Sequence, residues 1–254
     1  MIVTCWSVKG GSGTSAVAGG LAVAWAGERP VLAVDLAGDL PAVIGMTAPT
    51  GPGVLDWLRA GSGVGAAALE ALVVDAAPGL RVLHRGDAPD ARGIDVADGR
   101  WRAFVEALSA VGADVVIDAG LVPLPPEVAA RTDASLLVIR PCFLALRRAS
   151  TAAEVPTGVV VIAEPGRALG RRDVEQVLGI RTVAEMRLDP AVARAVDAGL
   201  LASRLPPSLG QLAKSVDRWA ARAVAPRAPE PEPLPGLSAT VEAPAQTLSW
   251  AGWR

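Results

Sequence analysis

Near its start the chain carries an apolar run, Ile2-Val3-Thr4-Cys5-Trp6, then Ser7-Val8-Lys9-Gly10-Gly11-Ser12-Gly13-Thr14, then a run of small residues from Ser15 to Gly27. The first run reads as a buried strand and the last as a helix. A strand, a glycine-rich turn and a helix N-terminus in succession form the arrangement that binds phosphate, because the N–H groups of the turn and the positive end of the helix dipole converge on one anion. Phosphate binding is therefore the first expectation from this sequence.

Against the P-loop pattern G-x-x-x-x-G-K-[ST], Gly13 and Ser15 match the end, with Ser15 placed to put its hydroxyl on Mg²⁺. Thr14 stands in the lysine position and Val8 in that of the first glycine. Lys9-Gly10-Gly11-Ser12-Gly13-Thr14-Ser15 instead resembles the deviant P-loop of the ParA/MinD family of partition and positioning ATPases. That resemblance implies that Lys9 reaches across a nucleotide-sandwich dimer to the partner's phosphates. Of the 24 basic residues only Lys9 and Lys214 are lysines, and a compact ammonium on a flexible stem suits a crowded phosphate cradle better than a planar guanidinium. Two other readings use the same residues. Lys9 can be a plain solvated loop charge, or Gly11-x-Gly13-x-x-Ala16 can be a dinucleotide fingerprint, with Asp35 as the ribose-binding carboxylate about 20 residues on. The extra residues Ser7-Val8-Lys9 make a longer loop than the tight dinucleotide turn needs.

A length of 254 residues with 51% hydrophobic content suffices for one large core. The net charge of −2 gives no global attraction to nucleic acid or acidic lipid, so either partner would have to meet a local patch. Cys5 and Cys142 lack metal-ligand spacing and read as reduced, buried thiols of a cytosolic protein. Met1 leads straight into the first strand, and the longest apolar run, Ala16 to Ala26, is shorter than the ~18 residues that span a bilayer. A cytoplasmic location is expected.

Further strands are expected at Val31–Asp35, Leu80–His84, Asp114–Asp118, Ala134–Ile139, Gly158–Ile162 and Thr182–Met186. Their near-continuous hydrophobicity means burial on both faces, as in a parallel sheet covered by helices. Helices are expected over Trp101–Val111, Leu144–Ala153, Arg171–Leu178 and Pro190–Ala198, the last with Asp189 as its cap and proline first. The alternation predicts an α/β, doubly wound, mostly parallel sheet flanked by helices, and the resemblance implies the SIMIBI-like branch of P-loop NTPases. One domain is expected over residues 1–221, followed by a disordered, Pro-rich tail over 222–254 with Pro-Glu-Pro-Glu-Pro at 229–233. The tail ends in Trp250 and Trp253; partner anchoring, membrane contact and an end with no binding role are all open.

Ligands in such sheets lie beyond the carboxyl ends of the strands, which singles out Asp35, Asp39 and Asp118. Asp118 resembles the family's Walker B aspartate, which helps hold Mg²⁺ and supports the P-loop serine, although a strand-terminal aspartate can also merely cap the following turn. Asp35 resembles the first aspartate of the D-x-D segment. The second, which orients the attacking water, falls at Ala37, with Asp39 the candidate stand-in. With Thr14 and Ala37 at these places, slow or absent hydrolysis is implied. The resemblance further implies ATP and Mg²⁺ as ligands held by Lys9, Gly10, Gly11, Ser12, Gly13, Thr14, Ser15, Asp35 and Asp118, and a homodimer that positions a pilus, division or partition machinery; a competent partition ATPase in which Asp39 or Lys9 compensates for the missing groups, and a pseudo-ATPase that binds no nucleotide and serves as an interaction scaffold, are the alternatives. Ala163 and Glu164 replace the asparagine that often meets adenine. Gly53–Leu58, Thr132–Pro141 with Leu146–Arg148, and Leu188–Gly199 also look like family segments, and the short chain with its degenerate P-loop looks most like the CpaE/TadZ group.

Two surface features bear on partners. Arg167, Arg171 and Arg172, with Arg147 and Arg148, form either a DNA-binding patch or, with acids interspersed, a solvated face. A final helix over Ser208–Ala225 carries Leu209, Leu212, Val216 and Trp219 on one stripe, which fits packing onto the sheet or, alternatively, a membrane surface. His84, the one histidine, has no evident catalytic partner.

Overall fold

In the computed structural model the described residues are 1–61, 63–87, 96, 99–121 and 125–224. Eight strands form one sheet: β1 (Ile2–Trp6), β2 (Val31–Asp35), β3 (Val73–Ala77), β4 (Leu80–Leu83), β5 (Asp114–Gly120), β6 (Ala134–Ile139), β7 (Gly158–Ala163) and β8 (Thr182–Arg187). Their order is β3-β4-β2-β5-β1-β6-β7-β8. All neighbours are parallel except β3, which returns antiparallel along β4. Every residue of β1, β2 and β6 is buried, as near-continuous apolar runs require when helices cover both faces.

Helices α1 (Thr14–Ala26), α2 (Leu40–Ile44), α9 (Pro190–Asp197) and α10 (Pro207–Val224) contribute to one core layer. Helices α3 (Val54–Arg59), α4 (Ala66–Glu70), α5 (Arg100–Ser109), α6 (Pro126–Ala129), α7 (Phe143–Ser150) and α8 (Arg171–Leu178) complete the set, and those with buried side chains contribute to the other layer. Helix α1 is apolar all round because it is central: Val17, Ala18, Leu21 and Trp25 are buried. Its glycines admit neighbours, since a Cβ at Gly20 would lie 2.8 Å from Leu209 Cδ2 of α10. The α10 stripe packs as expected, with Leu209, Leu212 and Val216 in the core and Trp219 against it.

The expected strands and helices are present with ends shifted by up to three residues, the largest shift being at the end of α7, and the Asp189 side chain accepts from the Ala191 N–H at 2.8 Å. The tail from 225 onward lies outside the described residues, so the readings of Trp250 and Trp253 lie there too.

Candidate functional site

Strand β1 delivers the chain to the loop at the carboxyl end of the sheet, where β1 is flanked by β5 and β6. Main-chain bonds hold the loop's base, with the Ser7 N–H donating to the Gly120 carbonyl at 2.8 Å. The Ser12 hydroxyl donates to the Lys9 carbonyl at 2.7 Å and closes the turn on itself. Gly11 and Gly13 have φ of 74° and 88°, a left-handed conformation that a β-carbon would strain, and Gly13 caps α1. Gly10, Gly11 and Gly13 are exposed, and a Cβ built at Gly11 meets nothing within 4 Å. Successive amides bent this way make an open concavity suited to an anion.

Lys9 sits at the rim, its ammonium donating to the Gly10 carbonyl at 3.4 Å in an exposed contact. Thr14 is only 7% exposed, so the side chain in the lysine position is turned into the packing. The Ser15 side chain lies close enough to the Asp118 carboxylate to favour its charged form.

Asp118 is paired in register with Cys5 on one side and Asp35 on the other. Strands far apart in sequence thus bring two aspartates side by side, and both are buried. Oδ1 of Asp35 accepts from the Gly38 N–H at 2.6 Å, and Oδ1 of Asp118 from the Gly120 N–H at 3.1 Å. Oδ2 of each is buried without a hydrogen-bond partner. Burial pushes the Asp35 carboxyl up to about 7, the neighbouring Asp118 adding to the rise against backbone donors. Burial likewise raises Asp118 to about 6, with the nearby Ser15 side chain and the Gly120 N–H opposing and the Asp39 charge adding. The Cys5 thiol is driven far up by burial and by Asp118, and it is held as a neutral thiol.

Two adjacent buried carboxylates with orphaned oxygens, with the Ser15 side chain close to one of them, are a hard-oxygen donor set. Among the described residues no group of three or more His, Cys, Asp or Glu forms a complete metal cage. A partial set suits Mg²⁺, which keeps water and phosphate oxygens in its shell.

Asp39, exposed at the start of α2, is near enough for its charge to act on Asp118. Ala37 packs against Gly120, whose φ is 61° and where an added Cβ would lie 2.9 Å from the Ala37 Cβ. Sequence reasoning missed Arg85, which follows β4. Its Nη1 donates to the Ala37 carbonyl at 2.8 Å and ties down the loop that carries Asp39; no sequence signal linked the two. The Arg148 Nη1 donates to the Val8 carbonyl at 3.3 Å. On the other side of the loop Glu164 accepts from the Arg140 Nε at 2.8 Å and the Arg167 Nε at 2.7 Å. Hydrogen bonds from Arg167 and Arg140 hold its carboxyl below the usual range. Arg171 pairs with Glu175 at 3.0 Å, so this basic run has acids interspersed. His84 is buried, its Nδ1 accepting from the Gly86 N–H at 3.2 Å.

The raised Asp35 value carries a stability consequence. Between its ordinary 3.8 and about 7 the folded chain keeps a proton that the unfolded chain has released. Stability therefore falls as pH rises through that window and is level above it. Asp35→Asn is expected to raise the melting temperature of the ligand-free protein at about pH 8 by about 5 °C, an effect of about 2 kcal/mol, and to leave it unchanged near pH 4. Thermal scans at the two pH values check this; equal or lower stability of the variant at the higher pH contradicts it.

No protein-family model matches the sequence, and no curated protein is found similar to it. Solved structures do match. A ParA family ATPase from Chlorobium tepidum TLS superposes with a TM-score of 0.67 at 20% identity, over 87% of this chain and 97% of its own. The septum site-determining protein MinD of Pyrococcus horikoshii OT3, complexed with Mg-ADP, gives 0.66 at 21%, over 88% and 98%. The MinC:MinD cell division protein complex of Aquifex aeolicus gives 0.67 at 17%, over 92% and 97%. These likenesses establish the fold, which is that of ParA- and MinD-type proteins.

Proposed function

We propose that this chain is a nucleotide-binding spatial organiser of the ParA/MinD type, in which binding outlives efficient hydrolysis. The observation that carries this reading is the glycine turn over residues 10–15, with Gly10, Gly11 and Gly13 exposed, beside two buried carboxylates with unpartnered oxygens. In this reading Gly10, Gly11, Ser12, Gly13 and Thr14 hold the phosphates through their main-chain N–H groups, and Lys9 supplies the cation. Ser15 and Asp118, supported by Asp35, hold Mg²⁺, whose charge offsets that of the phosphates. ATP is the nucleotide the resemblance implies, and the Mg-ADP held by the P. horikoshii neighbour supports a nucleotide with magnesium.

Hydrolysis is slow in this reading because the Thr14 side chain is turned inward and Ala37 has no carboxylate, leaving Asp39 as the group nearest to orienting water. The protein works as a homodimer in the cytoplasm, Lys9 crossing to the partner copy, and recruits a protein of a pilus, division or partition machinery. The MinC bound in the A. aeolicus neighbour supports a protein partner of that kind. Among the described residues no helix is long and apolar enough to cross a membrane.

Sedimentation in Mg²⁺ with ATP or a non-hydrolysable analogue tests the reading. Wild type is expected to dimerise and Lys9→Ala to remain monomeric, with turnover below the ~1 s⁻¹ lower edge of ordinary enzymes. Turnover at ordinary rates would instead make the chain a competent partition ATPase with Asp39 as its water-orienting group. A monomer in all conditions would contradict the dimer.

A further inference from the structure

A second feature lies at the other end of β8 from Asp189. Arg181, Thr182 and Val183 at the start of the strand, Arg171 of α8, and Ser215, Arg218, Trp219 and Arg222 of α10 line a cleft of about 410 Å³. That volume falls within the ~300–1,000 Å³ range of small-molecule sites. Arg171 is paired with Glu175. Among the described residues Arg181, Arg218 and Arg222 have no ion pair. The Arg218 Nη2 donates only to the Ser215 hydroxyl, at 3.1 Å. Three uncompensated guanidinium groups facing one concavity repel each other, and a polyanion relieves that repulsion. Their planar forks match phosphate oxygens two at a time, and the Ser215 hydroxyl, which donates to the Gln211 carbonyl at 3.1 Å, holds the Arg218 guanidinium in place. Half-buried Trp219 gives the wall a flat apolar surface.

We propose that this cleft is a second anion site, separate from the P-loop, that takes a small ligand carrying a phosphate or diphosphate group beside a flat ring. The concave shape admits one or two phosphate groups, whereas a duplex backbone needs a broad outer surface. The site stands independently of the P-loop reading, because none of its residues belongs to the loop end of the sheet.

Calorimetric titration of the full chain with pyrophosphate and with ADP tests the proposal, using wild type, Lys9→Ala and the double variant Arg218→Gln/Arg222→Gln. These arginines are exposed on α10, and circular dichroism is the check that the variant is folded. Binding is expected to persist in Lys9→Ala and to weaken at least about tenfold in the arginine variant, with Trp219→Leu reducing the ADP affinity and sparing pyrophosphate. Phosphatidylglycerol vesicles form a further arm: arginine-dependent binding to vesicles without binding of free pyrophosphate assigns the phosphate to a lipid headgroup. Absence of both, binding unaffected by the arginine changes, binding lost in Lys9→Ala, or binding of duplex DNA alone overturns the site.

Discussion

Gly45→Ala is expected to cost the fold about 4 kcal/mol or more, a large part of the ~5–15 kcal/mol that holds a domain together. Gly45 ends α2 with φ of 88°, where an L-residue is strained by about 1–2 kcal/mol. Steric overlap adds more than this strain. A β-carbon there would lie 2.0 Å from the Gly199 carbonyl oxygen and 2.5 Å from its carbon, so the clash is with backbone that cannot rotate away. The Ala202 N–H donates to the Ile44 carbonyl at 3.1 Å at this same junction, and separating the two segments breaks that bond as well. Because α2 follows directly on its cap Asp39, the damage also reaches the loop beside Asp35. Chemical denaturation measures the loss; a midpoint near that of wild type would show that the approach of these two segments is not needed for folding.

Asp118→Asn is expected to weaken nucleotide binding in Mg²⁺ at least about tenfold, to the level wild type shows in EDTA, while making the ligand-free protein more stable at neutral pH. The two effects share one cause. Asp118 is a buried carboxylate with one orphaned oxygen and an aspartate beside it, and burial pushes its carboxyl up to about 6. Its charge is a liability to the empty fold and becomes favourable only when a cation arrives. A residue kept for structure alone would not separate these readouts. Loss of both affinity and stability in the variant would assign Asp118 to packing instead of magnesium.

How much of this was legible in the sequence varies by element. Strands such as Val31–Asp35 and Ala134–Ile139 announced themselves because burial on both faces demands unbroken apolar residues. Strand β3 did not: Val73–Ala77 is a half-buried edge strand with Asp75 exposed, and its pairing rests on the turn at Pro78-Gly79. The short helices α2, α3, α4 and α6 were missed because four to six residues carry too little periodicity to read.

At the site, the loop and the identity of Asp35 and Asp118 were readable, but their adjacency was not. It depends on β5 inserting between β1 and β2, a long-range pairing that no local pattern encodes. The burial of Thr14 was equally hidden, since a threonine at a helix start is as readily exposed. Arg85 was out of reach for the same reason as the aspartate pair, because its contact with Ala37 joins the ends of two different strands.

Calorimetric titration of ATP into the full-length chain, with Mg²⁺ and then with EDTA, tests most directly whether the amide nest holds a triphosphate. With the α10 cleft removed by Arg218→Gln/Arg222→Gln, saturable binding of one nucleotide per chain, weakened about tenfold or more by EDTA and by Lys9→Ala, is the predicted result. Absence of binding, or binding indifferent to both changes, would contradict it.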